Sequence, residues 1–500
     1  MKINTFLFTI FVMFSSCSEF LEPKSPNEYI PEKISSLNEM LLGSAYPSAS
    51  SGSLFAFHNI LDDDVMITDE DVAWPESKIE QKAAFMQLFS WHPDMQITMK
   101  NAGNYKKVWE SFYNLILGTN AALDYINEVS GTEEEKAYVK AQALALRAFY
   151  YFQLVNLFGE PYTYNKDALG VPLKLTSALS SGYDKRKKVG EVYEQIIKDL
   201  DNAERCFAEV SAAKQFSPDY RISLPAVQLL KSRVYLYMNN LDKAAEYAKK
   251  VINGWNFELY DLCTLSDVSM SAASYPYYVT YDNPETIWAF GKTNDVVVFT
   301  FYLTGDRGIS SQYNRKFINA SDELVRTYKD EGDLRVKFYL VPEYGYTPVR
   351  YLAVSKCVLI GENVPSEDKF ALSLRLSEAY LILAEATAET EPDVALKAMN
   401  DLRRKRISED KYVEKTGLTG QDLLEFIKEE RRRELCFEGH RWFDLRRYGM
   451  PSFTREWKEK GIATQWFTME EEDAAYTLPL SKEVMDRNPG LEQNRLGNPK

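Results

Sequence analysis

The chain has 500 residues, of which 45% are hydrophobic, and a formal net charge of −14. That length supports a large core, or two subdomains sharing one. The acidic balance excludes nucleic acid as a partner, since phosphates need a basic surface, and it excludes polybasic attachment to a membrane.

The chain opens on a leader. Lys2 gives a positive start, residues 6–14 are apolar except for Thr9, and Ser15 and Ser16 supply small residues for a peptidase. The run is too short to cross a bilayer, which takes about 20 apolar residues. Cys17 follows, so residues 1–16 read as a lipoprotein signal peptide, cut before a cysteine whose thiol is then acylated. Phe14 stands where leucine is usual in such signals. Several acyl chains on one cysteine give stable anchoring. No later stretch has the length and apolarity of a transmembrane helix. Residues 17–35, with Pro23, Pro26 and Pro31, read as a flexible tether.

Residues 105–129 carry an apolar stripe at helical spacing through Val108, Trp109, Phe112, Leu115, Ile116 and Leu123. A helix over 133–158 starts on Glu133, Glu134 and Glu135, where the helix dipole favours them, and stops at Gly159 and Pro161. A further amphipathic helix covers 189–207. Residues 224–238 and 241–253 form a helical hairpin in which Ser232 and Ala244, with Tyr235 between them, fall at tetratricopeptide-like spacing. Residues 371–389 and 392–406 form a second hairpin, with Pro392 at an N1-like start. Periodicity alone gives helix pairs, not a regular solenoid. The N-terminal helical region spans 36–254 and the C-terminal region 255–500. Within the latter, 255–368 is rich in Tyr, Ser, Asn and β-branched residues, with short runs at 286–290 and 296–303. It reads as a loop-rich insertion with short strands, where ligand contacts usually gather.

Few residues offer chemistry. Cys206, Cys263, Cys357 and Cys436 lack metal-ligand spacing, and Cys206 and Cys436 read as small core residues. His58, His92 and His440 are far apart, and no HExxH, GxSxG or P-loop pattern occurs. Glu438, His440 and Asp444 can be drawn as an acid/base set. The favoured reading is structural: Arg431, Arg441 and Arg446 alternate with Glu434, Glu438 and Asp444 at spacings of three and four, as ion pairs along a helix do. Gly439 reads as a helix stop. The basic run Arg403, Arg404, Lys405 and Arg406 reads as a solvated helix end. Asp62, Asp63, Asp64, Asp69, Glu70 and Asp71 lack EF-hand offsets and read as a loop flanking Trp74.

Ligand-contact candidates are Asp71, Trp74, Tyr275, Tyr277, Tyr278 and Tyr281. An aromatic face covers the apolar CH face of a sugar ring while hydroxyls and carboxylates bind its rim. Both Trp74 and the tyrosines equally fit ordinary packing on the scaffold. Trp109, Trp288 and Trp442 lie in regular apolar patterns and read as core.

Several segments together are specific. They are Cys17-Ser-Glu-Phe-Leu-Glu-Pro23, Arg147-Ala-Phe-Tyr-Tyr-Phe-Gln-Leu-Val-Asn-Leu-Phe-Gly159 with Gly170-Val-Pro-Leu173, and Leu383-Ala-Glu-Ala386 with Asn400 and Arg403. Glu430-Arg-Arg-Arg-Glu-Leu435 and Glu438-Gly-His-Arg-Trp-Phe-Asp-Leu-Arg-Arg447 follow, then Leu478-Pro-Leu480, Asn488-Pro489 and Gln493-Asn494. In this order, over the whole mature chain, they resemble the SusD/RagB family, lipoprotein partners of TonB-dependent outer-membrane transporters. The chain departs from the family at Phe14 and at its Arg495-Leu-Gly-Asn498 ending. The resemblance implies a mainly α fold: tetratricopeptide-like helix pairs in a right-handed scaffold with a ligand-binding, short-strand-containing insertion. It implies a lipid-anchored protein on the outer face of the outer membrane. This protein would capture an oligosaccharide, polysaccharide or other nutrient and pass it to a SusC-like transporter, with no cofactor and no catalysis. Trp74 lies where family members place ligand contacts. Two other functions stay open: a helical-repeat scaffold that binds only proteins, and a glycoside hydrolase, whose two carboxylates about 5–10 Å apart the sequence does not nominate.

Overall fold

Helices form where the apolar stripes run, and their ends are set by local chemistry. α1 (Ile34–Ser44) buries Ile34, Leu37 and Leu41, and α2 (Ile79–Phe89) and α3 (Val108–Tyr125) follow it. α4 (Glu133–Phe158) begins at a capping box. The Thr132 hydroxyl accepts the Glu135 N–H at 3.2 Å, and the Glu135 carboxylate accepts the Thr132 N–H at 2.9 Å. The predicted bounds of this helix are the observed ones. From Ala141 to Phe158 every residue of α4 is buried, so the helix is wrapped on all sides, as an all-round apolar helix must be. These elements come from a computed structural model, which describes residues 31–47, 54–55, 57–69, 79–95, 108–179, 184–265, 278–291, 318–343, 349–352, 370, 372–459 and 463–500.

α5 (Val189–Ala208), α6 (Leu224–Tyr237), α7 (Leu241–Gly254), α8 (Leu376–Thr387) and α9 (Pro392–Arg404) each pack on the helix before them, continuing from α3 and α4. The result is a stack of antiparallel neighbours of tetratricopeptide-like character, and α8 resumes it directly on α7 although more than a hundred residues intervene. The small residues expected at the α6–α7 crossing do meet. Ser232 and Ala244 are fully buried, and the Ser232 hydroxyl donates to the Ala244 carbonyl at 2.8 Å. α10 (Gly420–Glu434), α11 (Arg441–Arg447) and a short C-terminal helix α12 (Lys482–Arg487) follow, and shorter helical turns occur at Tyr162–Asn165, Ala212–Gln215, Asp322–Thr327 and Arg335–Phe338.

Two strand systems hold the remaining segments. A six-stranded sheet has the order β4-β5-β3-β1-β7-β8. Its members are β1 (Val65–Asp69), β3 (Ile318–Ala320), β4 (Val341–Glu343), β5 (Arg350–Leu352), β7 (Phe453–Glu459) and β8 (Gln465–Met469). β1 runs parallel to β7, with Ile67 opposite Trp457, and antiparallel to β3. The short strands expected within 255–368 therefore exist, but they join strands from both ends of the chain instead of forming a layer of their own. A two-stranded ribbon pairs β2 (Thr286–Phe290) with β6 (Leu372–Arg375), both fully buried. This corrects the helix expected over 371–389: its first turn is strand, because Leu372 and Leu374 pair with Phe290 and Trp288 before the helix starts at Leu376. The run 296–303 lies outside the described residues. Trp109, Trp288 and Trp442 are core, as expected. The body also begins before residue 35, since the Ser130 N–H donates to the Glu32 carbonyl at 2.9 Å. Among the described residues no helix is long and apolar enough to cross a membrane.

Gly118 marks the closest approach in the stack. A Cβ there would press into the backbone of Ser44 and Ala45 at the end of α1. Gly→Ala inside a helix ordinarily stabilises by about 1 kcal/mol through propensity. At this site Gly118→Ala is expected to destabilise instead, by ~1–3 kcal/mol, since backbone atoms cannot yield as side chains do. Urea denaturation reads the sign directly.

Candidate functional site

The C-terminal end of α10 carries the densest charge in the molecule, and it is buried. The Glu434 carboxylate is fully inaccessible and faces Arg375 at 2.6 Å, Arg406 at 3.0 Å and Arg335 at 3.4 Å. Glu430, one turn earlier, meets Arg335 at 2.9 Å, Arg433 at 2.9 Å and Arg403 at 3.1 Å. Arg375 also forks onto both oxygens of Glu438 at 3.0 Å, and Asp444 is held by Arg431 and Arg447 at 2.8 Å each. The arginines hold Glu430 down at about 2 and Glu434 well below the usual carboxylate range, against the opposing effect of burial.

The acid/base set therefore has no free group. Both oxygens of Glu438 and both of Asp444 are bound to guanidinium, and burial pushes His440 well below its ordinary value. The ion-pair reading holds, with its geometry corrected: most partners are not three or four residues apart. Arg441 grips Asp63 at 2.7 Å across the fold, and Arg446 pairs with no carboxylate but donates to the carbonyls of Asn156 and Gly159. The basic run is corrected too. Arg403 and Arg406 are buried members of the cluster, and only Arg404 is exposed. Gly439 is not the helix stop: α10 ends at Glu434, and Gly439 lies in the turn before α11 at φ +80°, where a Cβ would lie 2.9 Å from the Phe55 carbonyl oxygen.

Part of the acidic stretch is also structural. Asp63 sits between Arg441 and Arg432, and Asp64 meets Arg432 at 2.6 Å. Burial and the two neighbouring carboxylates raise Asp62 well above its usual range. Among the described residues no cluster of His, Cys, Asp and Glu could hold a metal ion. Cys206, Cys263 and Cys436 are free thiols.

Of the predicted ligand contacts, Asp71, Trp74, Tyr275 and Tyr277 lie outside the described residues, as does Cys17. Tyr278 belongs to the core. It is 2% exposed, its hydroxyl lies 2.9 Å from that of Tyr339, and the Arg375 guanidinium sits over its ring. It presents no face to a ligand. Tyr281 is half-buried against Phe370, and its hydroxyl accepts the Ala289 N–H at 3.0 Å, which fixes it beside β2. These two tyrosines are thus corrected to packing roles. Their closeness to the buried run 286–290 was the available signal.

Sequence reading did not single out an open groove of about 290 Å³ between α3, residues Pro172, Lys174 and Asp184, and α12. Trp109, Tyr113, Pro172, Val484 and Leu491 form its apolar floor. Trp109 and Tyr113 pack with ring centroids 5.1 Å apart, and the Tyr113 hydroxyl donates to the Pro172 carbonyl at 2.7 Å. Glu110, Lys174, Asp184, Glu483 and Arg487 stand around the rim. Arg487 reaches Glu483 at 2.9 Å and Glu110 at 3.8 Å. Trp109 is core, as expected, but helical spacing brings Glu110, Tyr113 and Asn114 to the rim beside it.

Comparison with known proteins places this architecture. A family model described as the SusD family matches residues 312–497, and one described as "Starch-binding associating with outer membrane" matches residues 19–236. SusD-like protein P2 of Formosa agariphila is 27% identical over 432 residues, which cover 79% of this chain and 81% of the relative. SusD-like protein P38 of the same organism is 24% identical over 391 residues, covering 67% and 71%. A solved SusD superfamily protein from Bacteroides thetaiotaomicron shares the fold with a TM-score of 0.67 at 22% identity, over 93% of this chain and 100% of that one. A putative sugar binding protein from Bacteroides vulgatus does so at 0.69 and 24%, over 93% and 99%.

The buried ionisable groups set a pH dependence. Burial lowers His58 from 6.5 to about 4, so the unfolded chain takes up that proton first and stability falls as pH drops from 6.5 towards 4. Glu430 is lowered from 4.5 to about 2, which again favours protonation of the unfolded chain and extends the loss from pH 4.5 towards 2. Each shift corresponds to about 3 kcal/mol. Asp62, raised by burial and its neighbours, acts in the opposite direction, so the test is the difference between variants: between pH 7 and pH 4 the denaturant midpoint of His58→Gln should lose less than that of the wild type. Parallel pH profiles for the two proteins contradict the assignment.

Proposed function

The chain belongs to the SusD family, and from that premise we propose that it captures a saccharide at the outer membrane and passes it to a SusC-like, TonB-dependent transporter. The observation that carries this reading is the match of residues 19–236 to the family model described as starch-binding and outer-membrane-associated. The putative sugar binding protein from Bacteroides vulgatus, which shares the fold, supports it.

The ionic geometry favours binding over turnover. A glycosidase needs one carboxylic acid that can give up a proton and one carboxylate that can attack or activate water. Glu438 and Asp444, the carboxylates of the acid/base set, are instead tied to arginine. Ligand contacts are assigned to Asp71, Trp74, Tyr275 and Tyr277. In sequence the first two follow β1, whose last residue Asp69 pairs with Glu459, and the last two precede the core residue Tyr278. Contacts close to such fixed points suit recognition, since a fixed frame limits the ordering cost of binding. Cys17 carries the lipid, and the tether after it joins the body at Glu32, so the capture face can swing above the membrane.

Isothermal titration against neutral hexasaccharides is expected to show binding with no product formed. Trp74→Ala and Tyr277→Ala should each weaken it about tenfold, the effect of losing roughly 1.4 kcal/mol of stacking. Reducing-end products accumulating in the same cell, or unchanged affinity in both variants, would refute this site. Cys17→Ala should leave the affinity of the purified protein intact and abolish uptake by cells. Full uptake with a soluble protein rules out the tether.

A further inference from the structure

We infer that the groove between α3 and α12 is a second saccharide subsite, built for one or two pyranose residues of an uncharged glycan. The inference rests on the reading of the protein as a saccharide binder and adds a site to it. No residue from the stretch after β1 or from 255–368 lines the groove; its walls are α3, Pro172, Lys174 and Asp184, and the C-terminal 481–491.

Three features carry the assignment. The volume of about 290 Å³ lies at the small end of ligand sites, which run from roughly 300 Å³ upwards, and suits one or two sugar rings. The floor is apolar and rigid: the Tyr113 ring is fixed through its hydroxyl, and Trp109, Val484 and Leu491 are buried beneath or beside it. A floor of that kind covers the CH face of a sugar ring at little entropic cost. The rim then alternates acceptors and donors. Glu110, Asp184 and Glu483 accept, Lys174 and Arg487 donate, and the exposed Asn114 does both.

The charges decide the ligand class. An anionic sugar would face three carboxylates and a cationic one would face two cations, whereas a neutral polyol satisfies both sets through its hydroxyls. Arg487 is already oriented by Glu483 and Glu110, so its remaining N–H groups are fixed in direction. Among the described residues, neither the Lys174 ammonium nor the Asp184 carboxylate has a hydrogen-bond or ion-pair partner, which leaves both for a ligand. Two separated subsites would hold a long chain by avidity while each contact stays weak.

The test titrates maltohexaose, xylohexaose and mannohexaose into the full-length soluble protein and into three variants. Asn114→Trp fills the groove, Arg487→Ala removes its fork, and Trp74→Ala/Tyr277→Ala removes the loop contacts. Both groove substitutions are at exposed side chains, and thermal midpoints check that the fold survives. The expected result is two sites per chain in the wild type for one hexasaccharide, and one site, with unchanged affinity, in each groove variant. Retardation in gels cast with the parent polysaccharide should fall about tenfold in the same variants. Asn114→Trp titrating with wild-type stoichiometry and affinity overturns the groove alone. Binding that survives the loop double variant but is lost in Asn114→Trp supports the groove and removes the loop assignment. No binding of any hexasaccharide to the wild type overturns both readings.

Discussion

Glu434 has no contact with solvent, yet three arginines from three distant segments converge on its single carboxylate. Arg335 lies in the middle of the loop-rich region, Arg375 ends β6, and Arg406 follows α9. A buried charge left alone costs several kcal/mol, so none of these segments can dock without the others. Glu285, at the start of β2, closes the cluster by meeting Arg375 and Arg406. Hydrogen-bonded charge clusters of this kind add less net stability than their contact list suggests, but they penalise every partial arrangement. That penalty fixes which segments sit together where the helical stack alone would not.

The long region between α7 and α8 depends on this cluster most. A stack of helices gives each pair only nearest-neighbour contacts, and α8 rejoins it on α7 as though nothing intervened. The described elements of that region are held at Glu285, Arg335 and Arg375 and by β3 pairing to β1. A recognition surface next to such anchored points would gain from them, since the backbone entropy lost on binding falls as its ends are fixed beforehand.

The helices were legible because their signals are local. The three glutamates and Gly159 give both ends of α4, and the small residues Ser232 and Ala244 mark a real crossing. The charged residues misled for the converse reason. Spacings of three and four in 430–447 describe neighbours on a helix surface, but these side chains are buried, and a buried charge takes its partner from whatever element covers it. Arg403 and Arg406 looked like a solvated helix end because nothing local announces Glu430, the partner of Arg403, or Glu285 and Glu434, the partners of Arg406. Tyr278 illustrates the same limit for aromatics. A tyrosine carries both an apolar ring and a hydroxyl, so its type suits a sugar platform and a core hydrogen bond equally, and only the fold decides. The groove escaped notice because it joins residue 109 to residue 491, with no shared motif between them.

The distribution of charge in the buried cluster also shows which groups serve as fixed structural charges. Catalytic acids and bases need environments that push their pKa values towards the working pH. In the buried cluster, arginine partners drive Glu430 and Glu434 the other way, locking them ionised, while burial keeps His58 and His440 neutral. Such groups cannot exchange protons near neutrality, so they serve as fixed structural charges. The groups left to meet a ligand are exposed and ordinary: carboxylates, an ammonium, a guanidinium and amides around an apolar floor. Contacts of that kind are individually weak and easily reversed. Under the proposed hand-off to a transporter, dissociation at each contact has to be fast, and several modest subsites on a rigid frame would provide capture without trapping the ligand.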